Sequence, residues 1–182
     1  MNITKLKNII YKWRVRSGLL AAIICILLAK PSLVSIIIGF LISLLGLFVR
    51  TWSCGHIQKE KKLSMSGPYR YTRNPLYLGN LIIGIGITAA SNSWWVLGIF
   101  CLYFLIFYPI IINIEKKKME KIFPSQYRKF KKVPLLIPSL KPKLPKGENK
   151  FKWQLFLKNR EYRAFIGVLF FWATMILKSI II

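Results

Sequence analysis

Five apolar runs, separated by basic segments, determine what this chain can fold into. They are residues 18–29, 33–49, 76–90, 94–114 and 164–182. A transmembrane helix needs about 20 predominantly apolar residues, and most of these runs come close to that length. The first run reaches it only when residues 13–17 are added. The pattern predicts an all-α, polytopic integral membrane bundle of about five transmembrane helices.

The composition agrees with this class of protein. Hydrophobic residues make up 54% of the chain, yet 29 Lys and Arg against five acidic residues give a formal charge of +24. A soluble fold would struggle to hold both extremes, whereas a membrane protein separates them into apolar spans and basic loops. Nucleic-acid binding, the other common reason for such a charge, is excluded because the apolar runs interrupt the basic stretches. We expect these stretches to contact anionic membrane lipids.

The basic residues also predict an orientation. All but Lys30 and Lys178 lie in residues 1–16, 50–73 and 115–163, which the spans place on one side. The positive-inside rule assigns that side to the cytosol. We expect a multi-pass protein, in the cell (inner) membrane of a prokaryote, with a functional site on its cytoplasmic face.

The organisation expected is one membrane-embedded domain over residues 1–182. Residues 1–49 would form an amphipathic lead and a first helical hairpin, with the first two spans packed on each other. Residues 50–140 would form the core, and residues 141–182 a basic linker and the last transmembrane helix. No signal-peptide cleavage site is recognisable, so the first apolar run is expected to remain in the protein.

Two residue types carry further expectations. Gly79, Gly84 and Gly86 in the third run are spaced to let helices approach closely in lipid. The three cysteines form no Cys-x-x-Cys pair, so neither a zinc site nor a disulfide framework is indicated.

The most informative segment is residues 67–79, Gly-Pro-Tyr-Arg-Tyr-Thr-Arg-Asn-Pro-Leu-Tyr-Leu-Gly. Its prolines and glycine disfavour a helix until Pro75, which suits a first helical turn. The free N–H groups of that turn, next to arginines and tyrosines, could bind a carboxylate or a phosphate. The alternative is an ordinary interfacial belt of aromatic and basic side chains.

This segment resembles the GPYxYxRHPxYxG signature of the isoprenylcysteine carboxyl methyltransferase family and its phospholipid methyltransferase relatives. A second block of that family, an acidic start followed by spaced aromatic residues and VPxxIP, is matched by Glu115, Phe123, Tyr127, Phe130 and residues 133–138. The resemblance covers about residues 46–138.

The resemblance implies a five-span helical enzyme whose cytosolic pocket holds S-adenosylmethionine. Its acceptor would be lipid-like or isoprenoid-like and would enter from the bilayer. Matched position by position, the cofactor-binding residues would be Gln58, Lys61, Lys62, Leu63, Ser64, Tyr69, Asn74, Pro75, Leu76, Tyr77 and Glu115. The catalytic candidates are Glu115, Arg73, Asn74 and His56.

These residue types suit the cofactor. Aromatic faces attract a sulfonium cation, and a carboxylate can bind hydroxyl or ammonium groups. Methyl transfer is an in-line displacement that needs alignment and exclusion of water more than a covalent catalyst. That explains a chain with no Ser-His-Asp arrangement and no metal-ligand motif.

Three positions depart from the family pattern. Asn74 stands where the family has His, which excludes a titrating base there, and Lys116 replaces a second acid. Ile111 replaces an arginine that would hold a substrate carboxylate, which questions prenylcysteine as the acceptor. His56, the only histidine, is the one candidate base with a near-neutral intrinsic pKa, although a lone loop histidine is more often structural.

Two other functions fit the sequence. Integral sterol reductases share an RHPxYxG-like motif and bind a nicotinamide cofactor, but they are typically larger. A degenerate family member could instead act as a non-catalytic basic membrane scaffold.

Overall fold

A computed structural model of the chain describes residues 3–58, 62–147 and 149–181. Within these ranges the secondary structure is helical, apart from one isolated antiparallel bridge between Gln58 and Lys62. The α-helices are α1 (Ile3–Leu28), α2 (Leu33–Cys54), α3 (Pro75–Ser91), α4 (Trp94–Ile122), α5 (Pro124–Phe130), α6 (Trp153–Lys158) and α7 (Tyr162–Ile181), and Gly67–Arg70 forms a short 3₁₀ helix. The predicted all-α class is confirmed.

Three of these helices, α2, α4 and α7, are long and apolar enough to cross a membrane. Helix α3 is apolar but has 17 residues, and α1 has 26 residues with cationic side chains in its first half. Each of the five apolar runs is therefore helical over its described residues, apart from Ala29, and three of these helices have the length and composition of independent spans. Large apolar side chains cover the outer surfaces of α2 and α4, as expected for helices that face lipid.

Helix α2 packs along its length against α3. A Cβ atom added to Gly46 would lie 2.8 Å from the carbonyl oxygen of Gly79, and one added to Gly79 would lie 2.8 Å from that of Gly46. Gly39 and Gly86 oppose each other in the same way one layer further along. The glycines therefore allow the two backbones to touch, as the spacing in the third run predicts.

The expectation that α1 and α2 pack on each other is wrong. Helix α1 packs mainly against α4, where a Cβ atom on Gly18 would lie 2.8 Å from the hydroxyl of Tyr103. The short break between α1 and α2 fixes only their connection. The glycine-lined face of α2 determines its partner, and that partner is α3.

Backbone and side-chain bonds tie the helices together at the end where α1 leads into α2. Ser32 and Ser35 form a capping box at the start of α2, and the Ser35 hydroxyl donates to the carbonyl of Ala90 on α3. Lys178 of α7 donates from Nζ to the carbonyl oxygens of Ile26 and Leu27, at 2.7 and 2.8 Å. Lys178 thus bonds carbonyls at the C-terminus of α1, which the helix itself leaves without partners.

Candidate functional site

A cavity of about 600 Å³ opens at the other end of the bundle, where α2 ends, α3 begins and α4 reaches its basic segment. This end is called the basic end below. Of the residues proposed for the site from the sequence, those that line the cavity are Gln58, Lys62, Leu63, Ser64, Tyr69, Arg73, Asn74, Pro75, Leu76, Tyr77 and Glu115. Lys61 lies outside the described residues.

The centre of the cavity joins the two sequence blocks. The hydroxyl of Tyr77, in the first turn of α3, donates to Oε1 of Glu115 on α4 at 2.6 Å. Tyr77 is buried, and its ring meets that of Tyr108 edge-on at 5.4 Å between centroids. A hydroxyl bonded to a carboxylate at this distance is a strong, charge-assisted contact. It fixes the orientation of the only acidic side chain that α4 contributes to the cavity.

The signature segment is held in place by the Val-Pro-Leu-Leu-Ile-Pro segment, residues 133–138. The amide nitrogen of Arg73 donates to the carbonyl of Pro134 at 2.8 Å, and the Thr72 hydroxyl donates to that of Leu136 at 2.8 Å. The Asn74 side chain donates to the carbonyl of Leu135 at 2.7 Å. These bonds explain why the two blocks occur together, since the second one fixes the backbone of the first.

Asn74 therefore has a defined structural task. Its side-chain amide is committed to the 133–138 segment and makes no cap bond to α3. The amide holds the turn that precedes Pro75, and Asn74 lines the cavity from there. This placement makes Asn74 a positioning residue.

Arg73 lines the cavity and keeps one buried guanidinium nitrogen without a partner among the described residues. Its Nη1 donates to the hydroxyl of Tyr127 at 3.4 Å, while its Nε is buried and has no hydrogen-bond partner among the described residues. An unpartnered guanidinium nitrogen is costly when buried, so such a group usually meets a ligand or water. Arg73 lies on the cavity wall, but this nitrogen is covered by neighbouring atoms, so a ligand could reach it only after they move.

Tyr69 closes another part of the wall. It is buried in a cluster with Leu63, Tyr127 and Phe130. Burial is the main reason why the pKa of the Tyr69 hydroxyl lies well above its ordinary value. The phenol is therefore neutral at physiological pH and can offer an aromatic face and a hydrogen bond to a ligand.

His56 does not line this cavity. Its Nδ1 lies 2.8 Å from the carbonyl oxygen of Trp52, and its ring packs near that of Phe151. Gly67 adopts φ +56°, and a Cβ atom there would lie 2.6 Å from Nε2 of His56. The histidine supports the start of the signature turn from beneath, the structural role that its isolation in the sequence favours.

Ile111 is fully buried with Tyr77, Tyr108 and Ile112, and it does not line the cavity. The side chain that replaces the family arginine thus contributes to packing between α3 and α4.

The cavity residues that the sequence analysis did not propose include a polar group from four parts of the chain: Arg14, Arg50, Asn80 and Glu161. Arg50 donates from Nη2 and Nε to Oε2 of Glu161, at 2.6 and 3.2 Å, and from Nη1 to Oδ1 of Asn80. This network joins α2, α3 and the turn before α7. One signal was available, since Glu161 is one of only five acidic residues in a chain with 29 basic ones.

A second, apolar cavity of about 190 Å³ lies deeper in the bundle, between α1, α3, α4 and α7. Its walls include Ala21, Gly84, Phe100 and Tyr103, and it shares Asn80 with the larger cavity. A polar cavity at the basic end thus adjoins an apolar one within the helices.

No group of three or more His, Cys, Asp or Glu side chains among the described residues is placed to hold a metal ion.

The fold is a helical membrane bundle with a cavity at its basic end, and the comparisons identify the family to which such a bundle belongs. The sequence model of the phospholipid methyltransferase family matches residues 20–126, which include Pro75, Tyr77 and Glu115. The chain belongs to the phospholipid methyltransferase family.

Two curated relatives carry names that refer to metal resistance. The cobalt-zinc-cadmium resistance protein CzcN of Cupriavidus metallidurans is 28% identical over 132 residues, covering 71% of this chain and 59% of the relative. The nickel-cobalt-cadmium resistance protein NccN of Alcaligenes xylosoxydans xylosoxydans is 30% identical over 93 residues, covering 50% and 44%. The matches thus span about half the length of these relatives. No solved structure matches the chain significantly.

Proposed function

We propose that this protein is an S-adenosylmethionine-dependent methyltransferase that acts on a lipid-like or isoprenoid-like acceptor at the cytosolic face of the membrane. The observation that carries the proposal is the bond between Tyr77 and Glu115, 2.6 Å long. It unites the two motif blocks of a membrane methyltransferase family in the wall of one cavity.

The residues present fit this cofactor. The cavity of about 600 Å³ lies within the range of about 300–1,000 Å³ that is usual for small-molecule sites. The guanidinium of Arg73 suits the cofactor's carboxylate, and Glu115 suits its ammonium or its ribose hydroxyls. The aromatic faces of Tyr69 and Tyr77 suit a sulfonium cation.

When bound, S-adenosylmethionine supplies an electrophilic methyl group that a nucleophile displaces from sulfur. The protein's own part is alignment, since in-line displacement depends on holding both reactants in position. Tyr77 fixes the carboxylate of Glu115, while the bonds of residues 72–74 to residues 134–136 fix the turn before α3. The buried aromatic cluster around Tyr69 limits access of water from that side.

The placement of the site supports chemistry at a membrane surface. The cavity lies at the end of the bundle that carries most of the Lys and Arg, which the positive-inside rule assigns to the cytosol. The apolar cavity beside it offers an amphiphilic acceptor a place for its chain. The cofactor would then enter from the cytosol and the acceptor from the bilayer.

The test is calorimetric titration of S-adenosylhomocysteine and of a nicotinamide dinucleotide into the purified protein. It is combined with mass spectrometry of membrane lipids from cells given an isotopically labelled methyl donor, with and without the protein. Binding of the first ligand and a labelled lipid that depends on the protein are the expected results. Binding of the dinucleotide alone would favour the reductase alternative, and binding of neither would favour the scaffold.

The names of the two relatives suggest a test of metal resistance in cells. Growth of a strain with and without the gene, in graded cobalt or nickel, measures whether the protein contributes to metal resistance. A difference abolished by Glu115→Gln would tie that contribution to the proposed chemistry.

A further inference from the structure

Residues 135–140 expose large apolar side chains outside the long apolar helices. Leu135, Ile137 and Leu140 are all exposed, Ile137 to 77% and Leu140 completely. The segment has the sequence Leu-Leu-Ile-Pro-Ser-Leu, forms no helix and is called the apolar loop below. Single exposed apolar residues are ordinary, but three large ones within six residues indicate a surface that has a partner.

The inner side of the apolar loop is fixed to the bundle. Leu136 packs against the buried cluster that contains Tyr77 and Ile111 of α3 and α4. The amide nitrogen of Ser139 donates to the carbonyl oxygen of Tyr71 at 3.0 Å. The exposed side chains of the loop therefore cannot turn into the bundle without breaking these contacts.

The apolar loop lies where the apolar part of the bundle ends. The side chain of Asn74, the residue that precedes α3, donates to the carbonyl oxygen of Leu135 at 2.7 Å. Next to it, the ring of Trp52 near the end of α2 lies 6.5 Å from that of Tyr71. Trp and Tyr side chains are concentrated where a membrane protein crosses the membrane–water interface. The loop thus lies at the level expected for the lipid headgroups.

Cationic side chains flank the apolar loop on both sides. Lys132 precedes it and Lys141 and Lys143 follow it, and all three are exposed. The sequence contains no Asp or Glu from residue 121 to residue 147. Apolar side chains between lysines match a leaflet with anionic headgroups, because the apolar groups reach the acyl chains while the ammonium groups stay among the headgroups. This complementarity favours lipid over a protein as the partner of the loop.

We propose that the apolar loop inserts into the leaflet at the basic end of the bundle, where its lysines bind anionic headgroups, and that this insertion stabilises the signature segment. The carbonyl oxygens of residues 134–136 accept bonds from residues 72–74. Of these, Arg73 and Asn74 line the large cavity. The charge of the membrane thereby regulates how firmly one wall of the cavity is held. This proposal is independent of the methyltransferase proposal, since it requires no bound cofactor.

The first experiment measures the depth of the loop by electron paramagnetic resonance of the full chain in nanodiscs. A nitroxide is attached to Ile137→Cys in a Cys101→Ser background, because Cys25 and Cys54 are buried. The discs contain phosphatidylcholine alone or an equal mixture of phosphatidylcholine and phosphatidylglycerol. Ser125→Cys is the matched control, since Ser125 is exposed at the same end of the protein, next to the exposed Gln126 on α5.

In the anionic discs, the label at residue 137 should be accessible to oxygen and shielded from a water-soluble nickel chelate. The label at residue 125 should show the reverse, and residue 137 should be less shielded in phosphatidylcholine alone. Equal access of the chelate to both labels overturns the insertion, and equal shielding of residue 137 in both lipids overturns the role of the headgroups. Shielding that appears only at a high protein-to-lipid ratio would identify a second copy of the chain as the partner and would also overturn the proposal.

The second experiment measures the effect on the signature segment by hydrogen exchange in the same discs, without any ligand. The amide nitrogen of Arg73 reports directly, because it donates to the carbonyl oxygen of Pro134. Its exchange should be slower in the anionic discs by about fivefold or more, the factor that the attraction of one lysine to an anionic surface supplies. Ile137→Asn should abolish this difference, whereas Leu157→Asn, at an exposed apolar position on α6, should keep it. Equal exchange by wild type in the two lipids, or an undiminished difference in Ile137→Asn, overturns the stabilising effect.

Discussion

Replacing Glu115 by Gln is the sharpest single test of the cavity. The Glu115 carboxylate accepts a 2.6 Å bond from the hydroxyl of Tyr77. A Gln side chain has nearly the same shape and retains an oxygen that can accept this bond. The change therefore removes the negative charge while disturbing the packing of α3 against α4 very little.

The magnitude follows from what the charge does. If Glu115 makes a charge-assisted bond to the cofactor, its loss should cost about 1.5–3 kcal/mol of binding free energy. That corresponds to a roughly 10- to 150-fold weaker affinity. If Glu115 is only a partly exposed charge near lysines, the loss should be under about 1 kcal/mol.

The assay is calorimetric titration of S-adenosylhomocysteine into wild type, Glu115→Gln and Glu120→Gln. Glu120 is the matched control, because it lies on the same helix, forms an ion pair with Lys131 and does not line the cavity. We expect weaker binding only in Glu115→Gln, with melting temperatures unchanged. Equal affinity for all three proteins would refute the role of Glu115 in binding the cofactor.

Three further changes test the bundle and its orientation. Gly46→Ala should lower the free energy of unfolding by about 1–3 kcal/mol, because its Cβ would meet backbone atoms of α3 at 2.8 Å. Gly98→Ala is the control: its Cβ meets no atom within 4 Å and Ala favours a helix, so the melting temperature should stay the same or rise. Ile111→Arg buries a charge in an apolar cluster, at a cost of roughly 2.5–3.5 kcal/mol. It should therefore reduce the yield of monodisperse protein in size-exclusion chromatography, and a normal yield would contradict that packing. In intact cells an impermeant thiol reagent should label Lys30→Cys and spare Lys132→Cys, both positions being exposed, and the reverse pattern would invert the orientation.

The sequence sufficed for the parts of the fold that depend on local pattern. The apolar runs predicted every long helix, and the motif blocks predicted that Tyr77 and Glu115 belong to one site. The two residues lie on the two helices of a helical hairpin, α3 and α4. Because the geometry of such a hairpin is regular, the spacing of the motif blocks was enough to predict the contact. The structure adds the bond between them.

Contacts between segments that are far apart in the chain could not be predicted from the sequence. Nothing near Arg50 indicates that its partner is Glu161, 111 positions later, because an ion pair has no sequence periodicity. The partner of α2 was also mispredicted, since chain proximity suggested α1 while complementary glycines selected α3. His56 illustrates a different limit. A structural histidine and a catalytic one look the same in a sequence, and only the burial of His56 against Gly67 shows that it is structural.

The bonds from Lys178 to the end of α1 have a consequence for how the chain is made. The carbonyls of Ile26 and Leu27 emerge early in synthesis, but the ammonium group that bonds them belongs to the last helix. Arg50 likewise emerges long before Glu161. The bonds that join α1 and α2 to this part of the chain are therefore missing until Glu161 and α7 have been made. A ribosome-bound chain halted before α7 should therefore be markedly more sensitive to proteolysis than the full-length chain.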